Sequence, residues 1–341
     1  MSFDVEAALA ALDEGRRERD QPARALILPH DNPDPDSLAA ALGIEKMLRS
    51  VGYETVIGYG GIIGRPENRA MVQLLEMQLT PIEKIDWASF PVVALCDTQP
   101  RTGNNSLPIE RVPEIVVDHH PLRATTPPTP WQDIRPDLGA TATIVYGYLR
   151  QLKLAIEPRL ATAFLYALKA ETRDLGREAG PEEKQAYLDV MALADHEKLF
   201  AIAHPKLGRE HWVAVDRAIR NAVSWGDLLA INLGTCEYPD LVAEVADLML
   251  AYDRCRWVLC VGRHDGEVFL SIRTDVQNAA AGGVIRRIVG TQGAAGGHGS
   301  TAGGRLFVEL RDDQHLKEIY DDLVGRLCRE LHITAAPTPL L

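Results

Sequence analysis

Short, continuously apolar runs alternate along this chain with longer stretches of helical periodicity. Residues 1–20 place their apolar positions on one face of an amphipathic helix. Ala25–His30 then reads as a buried strand, Ser37–Ser50 as a helix with Ser37 at its N-cap, Tyr53–Tyr59 as a strand and Pro66–Met77 as a helix whose first turn suits Pro66. Pro91–Cys96 and Glu114–Val117 are further apolar runs. Runs that are apolar throughout, interleaved with helices, predict a mostly parallel sheet flanked by helices. Thr141–Leu152, Pro158–Glu171 and Pro181–Ala194 follow as three successive helices.

The mixed-charge stretch from Asp195 to about Asn221 predicts helix linking two halves. Strand-like segments return at Asp227–Leu233, Arg256–Gly262, Glu267–Thr274 and Arg305–Leu310, alternating with helices at Leu241–Asp253, Gly283–Val289 and His315–Leu331. Ala335–Leu341 is expected to be a loose tail. The expected organisation is an α/β domain over 1–195, a helical linker over 196–223 and a smaller α/β domain over 224–341. A length of 341 residues gives each domain room for its own core.

Composition narrows the classes. No apolar run is long enough to span a bilayer, and the first residues lack the order of a signal peptide. The five cysteines are scattered and never spaced as a zinc clamp. A reduced, cytoplasmic protein without a membrane partner is expected. A formal charge of −12 argues against gripping long duplex nucleic acid, which requires neutralising many phosphates. A small phosphorylated ligand in a local basic pocket is compatible with it.

Candidate chemistry sits at the carboxyl ends of the predicted strands, where open α/β sheets bind ligands. In His30–Ser37 (HDNPDPDS), His30, Asp34 and Asp36 share sequence parity. Pro33 and Pro35 push Asn32 and Asp34 toward extended backbone, so the three side chains are expected to converge. The plainer alternative is a solvated turn in which Asp34 or Ser37 caps a helix. Asp97 ends the third strand, and Asp118-His119-His120 ends the fourth. Carboxylates mixed with imidazoles suit a pair of divalent metals, a common solution to phosphoester hydrolysis. No Walker loop, nucleophile elbow or Cys–His signature is present, so water is the expected nucleophile.

The string Gly296–Gly304 carries five glycines and His298, and its backbone N–H groups could cradle a phosphate. A dinucleotide-binding fingerprint needs a strand before it and a helix after it; the predicted order here is the reverse. Arg273 ends a strand and offers a guanidinium fork to phosphate, with Arg305 a weaker candidate. Arg101 and Asn104, in the loop after Asp97, are candidates for substrate contact or for shaping that loop.

HxxxDxD (His30, Asp34, Asp36), the strand-end Asp97 and the DHH string resemble the first three motifs of the DHH phosphoesterase superfamily. Gly296–Gly304 resembles the glycine-rich motif of its DHHA1 domain. The resemblance covers roughly residues 23–330 and lies nearest the short two-domain branch of nanoRNases and pAp phosphatases. It implies a DHH domain over 1–195, a substrate-binding DHHA1 domain over 224–341 and an active site in the cleft between them. It also implies two divalent cations, usually Mn²⁺ with Mg²⁺ permitted. One would be held by His30, Asp34 and Asp97, the other by Asp36, Asp97, His119 and a fourth-motif carboxylate. Here the motif reads Glu171-Thr172, with Asp174 the alternative. His120 would act at the phosphate, with Arg273, Gly296, Gly297, His298 and Gly299 on the substrate. The implied reaction is hydrolysis of short oligoribonucleotides or small nucleotides such as pAp by two-metal-activated water. Hydrolysis of cyclic or linear dinucleotides is the alternative, and a nucleotide sensor with a weakened metal site is the non-enzymatic one. A homodimer is left open.

Overall fold

The computed structural model describes residues 3–18, 23–176 and 179–341. The chain divides into two compact units, Met1–Pro205 and Lys206–Leu341. The first unit runs α1 (Val5–Arg17), β1 (Arg24–Pro29), α2 (Pro35–Ser50), β2 (Glu54–Tyr59), α3 (Pro66–Leu74), β3 (Leu79–Pro81), β4 (Val92–Cys96), β5 (Ile115–Asp118) and β6 (Trp131–Ile134). It closes with α4 (Thr141–Gln151), α5 (Pro158–Glu171), α6 (Pro181–Met191) and α7 (His196–Ala203).

Its six strands form one sheet in the order β3-β2-β1-β4-β5-β6, parallel at every pairing. Side chains alternate between its faces. Ala25, Ile27, Val92, Ala94, Ile115 and Val117 pack under the helices. Leu26, Leu28, Val93, Leu95 and Val116 meet Phe90, Ile82, Ile85, Trp87 and Leu107 on the other face. Burial on both faces explains why these strands read as continuous apolar runs. The order reverses between β1 and β4, so the loops leaving those neighbours diverge and open a crevice at their carboxyl ends.

Two boundaries differ from expectation near that crevice. The N-cap of α2 is Asp34, not Ser37: Asp34 Oδ1 accepts the Ser37 N–H at 3.0 Å, and Ser37 Oγ accepts the Asp34 N–H at 3.1 Å. This reciprocal box puts Asp36 inside the first helical turn, so convergence with His30 comes from a helix start and not from extended parity. The strands β3 and β6 have three and four residues, too short for a periodic signal.

The second unit comprises α8 (Arg209–Asn221), β7 (Val223–Trp225), β8 (Leu228–Thr235), α9 (Leu241–Met249), β9 (Trp257–His264), β10 (Glu267–Thr274), α10 (Ala281–Val289), β11 (Gly293–His298), β12 (Thr301–Leu306), α11 (Asp313–Glu330) and β13 (Thr338–Pro339). Its sheet order is β11-β12-β10-β9-β8-β7-β13, with only β8 and β9 parallel. Helices α10 and α11 cover one face, and α8 and α9 the other. The stretch expected as a linker divides between the units, with Ile202 of α7 in the first core and Ala214 and Ala218 of α8 in the second.

Two expectations change here. The glycine string is a β-hairpin, β11–β12, in place of a loop before a strand at 305–310. The tail is pinned, because Thr338 and Pro339 pair with β7 and Leu340 donates to the Ala222 carbonyl at 2.9 Å. Edge pairing leaves no signature in so short a segment. Among the described residues no helix is long and apolar enough to cross a membrane.

Candidate metal centre

Three strand ends and two helix starts build the site. His30 follows β1, Asp34 caps α2, Asp36 sits in its first turn, Asp97 follows β4, and Asp118, His119 and His120 end β5. Asp97 adopts a left-handed backbone, φ 59°, that turns its side chain out of the strand end. Its two oxygens face different imidazoles. Oδ2 lies 3.5 Å from His30 Nε2, while Oδ1 lies 3.5 Å from His119 Nε2 and 3.6 Å from His120 Nδ1. His30 Nε2 is also 3.5 Å from Asp34 Oδ1, and His119 Nε2 is 3.9 Å from Asp36 Oδ2.

The imidazoles are oriented from behind. His30 Nδ1 lies 2.9 Å from the Asp31 carbonyl and His119 Nδ1 lies 3.2 Å from that of Leu138. A carbonyl only accepts, so each Nδ1 carries the proton and each Nε2 is turned toward the carboxylates. Two overlapping groups result, His30–Asp34–Asp97 and Asp97–His119–His120, whose donor atoms lie within 4.8 Å of one another. Hard oxygens mixed with imidazole nitrogens, presented with fixed tautomers, fit divalent cations of the Mn²⁺ or Mg²⁺ type.

The electrostatics match a cation centre. Burial and the neighbouring Asp97, Asp34 and Glu171 carboxylates raise the Asp36 pKa well above the ordinary value. Burial also lifts Asp97, against the pull of His119, His120 and His30, to about 6. Burial opposes charge on His30, but Asp34 and Asp97 outweigh it and raise this imidazole to about 10. For Asp34, His30 and the Ser37 hydrogen bonds outweigh burial and hold the carboxyl low. Imidazolium charge thus balances the buried carboxylates, a role a metal cation would take over.

Three further residues organise the centre and were not recognised from the sequence. Thr141, the first residue of α4, donates its hydroxyl to Asp97 Oδ1 at 2.9 Å and accepts the His119 N–H at 3.2 Å. The Thr141 and Ala142 N–H groups each donate to one Asp36 oxygen at 2.8 Å, so the start of α4 cradles a carboxylate from α2. Gln99, fully buried, donates to Asp118 Oδ2 at 2.6 Å while its carbonyl accepts from the Arg123 N–H and the Thr126 hydroxyl. Asp118 in turn accepts the His120 Nδ1–H at 2.8 Å. Only its place directly after the strand-end Asp97-Thr98 pair singles Gln99 out in the sequence. Replacing Thr141 by Val is expected to weaken metal binding about 10–100-fold, the usual cost of an outer partner, without unfolding the protein. Calorimetric titration with Mn²⁺ checks this.

The remaining predicted site residues fall into separate groups. Glu171 ends α5 close enough for its charge to raise Asp36. Asp174 is not on the same helical face: Arg173, Asp174 and Leu175 are left-handed (φ 50°, 55° and 64°), and exposed Asp174 pairs with Lys169. The left-handed turn after Thr172 takes Asp174 out of helical register with Glu171. Arg101 is exposed at a loop turn. Asn104 shapes its loop, with Oδ1 accepting from Thr98 and Thr102 and its carbonyl accepting the Asp31 N–H. In the second unit, Arg273 is buried and engaged by Asp247 at 2.5 Å and Ser271 at 2.6 Å. Gly282 allows α10 to approach Gly297, since a Cβ on Gly282 would lie 1.9 Å from the Gly297 oxygen, and Gly297 itself, with φ 147°, has no room for a Cβ beside Thr301 and Ala302. Gly296 is exposed with open space beside it, and Gly299 turns the hairpin with φ 48°. The His298 side chain lies outside the described residues.

A parallel α/β unit carrying a carboxylate–imidazole centre at its switch point defines the class. Residues 24–168 match the DHH family, N-terminal domain. An uncharacterised protein of Methanocaldococcus jannaschii is 29% identical over 316 residues, covering 91% of this chain. The chain spans 64% of that relative's length. The crystal structure of an exopolyphosphatase-related protein from Bacteroides fragilis superposes with a TM-score of 0.74 at 11% identity, covering 96% of this chain and 98% of that one. At that identity the similarity concerns the fold, and it extends over both units.

Proposed function

We propose that this protein is a metal-dependent phosphoesterase that hydrolyses short oligoribonucleotides or small nucleotides such as pAp, with Mn²⁺ as its preferred ion. The observation that carries this reading is the split engagement of Asp97, one oxygen toward His30 and the other toward His119, with a further carboxylate beside each. His30, Asp34 and Asp97 would hold one cation, and Asp36, Asp97 and His119, with Glu171 nearby, the other. Bound there, the pair supplies Lewis acidity, charge neutralisation at phosphorus and a water of lowered pKa. Burial works against charge on His120, yet the Asp118 hydrogen bond and the Asp97 and Asp118 charges raise its pKa to about 9. It therefore keeps its proton near neutrality and favours negative charge on a phosphoryl oxygen. Gly296, Gly297, His298 and Gly299 are assigned to the substrate. Arg273 could join them only by loosening its pair with Asp247.

A nucleotide is favoured over a bare polyphosphate by a cavity of about 370 Å³ beside the His30–Ser37 loop. Tyr59, Ile62, Ile63 and Val72 give it apolar walls, and Gln73 and Arg69, whose guanidinium donates to the Gly64 carbonyl, a polar edge. Its Gly60–Ile62 segment is tied to Asn32, whose N–H donates to the Gly60 carbonyl and whose Oδ1 accepts the Ile62 N–H. Apolar walls with a few polar groups suit a planar base, whereas polyphosphate would use only the Arg69 edge. Val72→Phe should raise KM for a dinucleotide about tenfold, roughly the cost of one misfitted apolar contact, and leave a base-free diester unchanged. The defining experiment supplies Mn²⁺ to chelator-treated protein with labelled dinucleotides, pAp, cyclic di-AMP or polyphosphate. Release of mononucleotide from the first two is expected. Turnover of polyphosphate alone overturns the assignment, and tight nucleotide binding without turnover points to a sensor.

A further inference from the structure

A second cavity, of about 490 Å³, lies in the first unit between the last turns of α2 and the first turn of α5. Leu42, Leu154 and Leu160 line it with apolar surface, and Lys46, Arg49 and Arg159 supply positive charge. The uncapped start of α5 adds helix N–H groups, for Glu157 at its N-cap makes no side-chain cap bond and Pro158 follows. The acids present are engaged: Glu157 with Lys46, and Glu45 with Arg49 at 2.8 Å. Arg159 also donates to the Leu75 and Glu76 carbonyls at the end of α3. Cations over an apolar floor match a small organic anion, with its body on the leucines and its charge at the rim.

The cavity's position gives it a second meaning. Helix α2 is 16 residues long, about 24 Å at 1.5 Å per residue. Its far end carries Asp34 and Asp36, and the far end of α5 carries Glu171. The two helices therefore run antiparallel, with the cavity at one end and the carboxylates at the other. Midway, Gly43 of α2 packs directly against the Phe164 ring of α5. A Cβ there would lie 2.9 Å from Phe164 Cζ of α5 and 2.4 Å from Val145 Cγ1 of α4. The Lys46–Glu157 pair ties the helices together at the cavity end. This pair is partly exposed, so it is worth at most about 1 kcal/mol, and an arriving anion can take Lys46 from it.

We propose that this cavity is a regulatory site for a small organic anion with an apolar body, such as a nucleoside monophosphate. Binding parts α2 and α5 at Lys46–Glu157 and, with Gly43 as fulcrum, draws Asp36 and Glu171 together. The site itself follows from the cavity, whereas its effect rests on reading the carboxylate cluster as a cation centre. Cation binding, and not turnover, is accordingly the readout. Linkage requires the ligand and the cation each to alter the other's affinity by the same factor.

The test titrates full-length protein with Mn²⁺ in the presence and absence of AMP, with adenosine and inorganic phosphate as half-probes. AMP should tighten Mn²⁺ binding about fivefold or more, the lower end of ordinary allosteric coupling, and neither half-probe should do so. Lys46→Glu should abolish the AMP effect. Glu157→Gln, which frees Lys46 without adding charge, should strengthen AMP binding. AMP binding indifferent to both substitutions overturns the site. Binding that depends on Lys46 but leaves Mn²⁺ affinity unchanged, or weakens it, overturns the lever. Failure of the protein to bind Mn²⁺ at all overturns the metal reading beneath it.

Discussion

Asp97→Asn is expected to remove most activity and, in the metal-free protein at pH 7.5, to raise stability. The two effects share one cause. Asp97 faces His30 with one oxygen and His119 with the other, so both donor groups lose their common charged member. Cation affinity should fall by more than the roughly 10–100-fold typical of outer partners, and turnover with it. Without cations the same carboxyl is a burden. Its folded pKa, about 6, lies above the ordinary 3.8, so the folded state binds its proton more tightly than the unfolded chain does. The resulting destabilisation is absent below the unfolded value, grows between the two and is complete above about 6. Asparagine keeps the shape and an acceptor for Thr141, so the metal-free variant should gain on the order of 1–3 kcal/mol at pH 7.5 and nothing below about pH 4. With saturating Mn²⁺ the order should reverse, since ligand at 100 times its Kd adds about 2.7 kcal/mol to the wild type. Thermal unfolding with and without chelator, together with metal content, checks this. Near-normal metal content in the variant would remove Asp97 from the centre.

The second large effect belongs to Asp118→Asn. Asp118 is a double acceptor, taking the Gln99 amide on one oxygen and the His120 ring and backbone N–H groups on the other. Asparagine must turn its own N–H₂ toward one of these donors, leaving a buried clash of donors that costs about 1–3 kcal/mol. It also removes the negative charge that keeps His120 protonated. The His120 pKa should drop from about 9 toward its ordinary 6.5. Turnover at pH 8 is expected to fall about 10²–10⁴-fold, the range for a positioned acid–base group, with less loss at pH 6 where the imidazole regains its proton. Mn²⁺ content should be unchanged, because Asp118 orients His120, which is assigned to the phosphate and to neither cation. A variant that loses metal, or whose pH profile keeps the wild-type shape, would show that His120 does not act as assigned.

Asp97 and His120 were both visible in the sequence because each sits at the carboxyl end of a continuously apolar run. Such runs are readable when both faces of a parallel sheet are buried, as they are for β1, β4 and β5. The DHH string and HxxxDxD were readable for the same reason, and the family match over 24–168 agrees with them. Thr141 and Gln99 escaped notice, because a threonine at a helix start and a glutamine in a turn have ordinary local explanations. Their importance lies in partners 19 to 105 residues away in sequence. The choice between Glu171 and Asp174 was likewise beyond spacing alone. It depends on three successive left-handed residues after Thr172, a reversal that no propensity announces.

Local chemistry, carried by residue type and periodicity, therefore determined the two α/β halves, the strand-end clusters and the kinds of ligand they suit. Tertiary structure alone decided which oxygen of Asp97 meets which imidazole, that the start of α4 holds Asp36, and that Arg273 is engaged by Asp247. It also made the glycine string a hairpin packed under α10. The physical reason is one of range. Propensity and burial act over a few residues and leave a pattern in the chain, whereas a hydrogen bond or ion pair between distant segments depends on register and crossing angle, which only the packed core supplies.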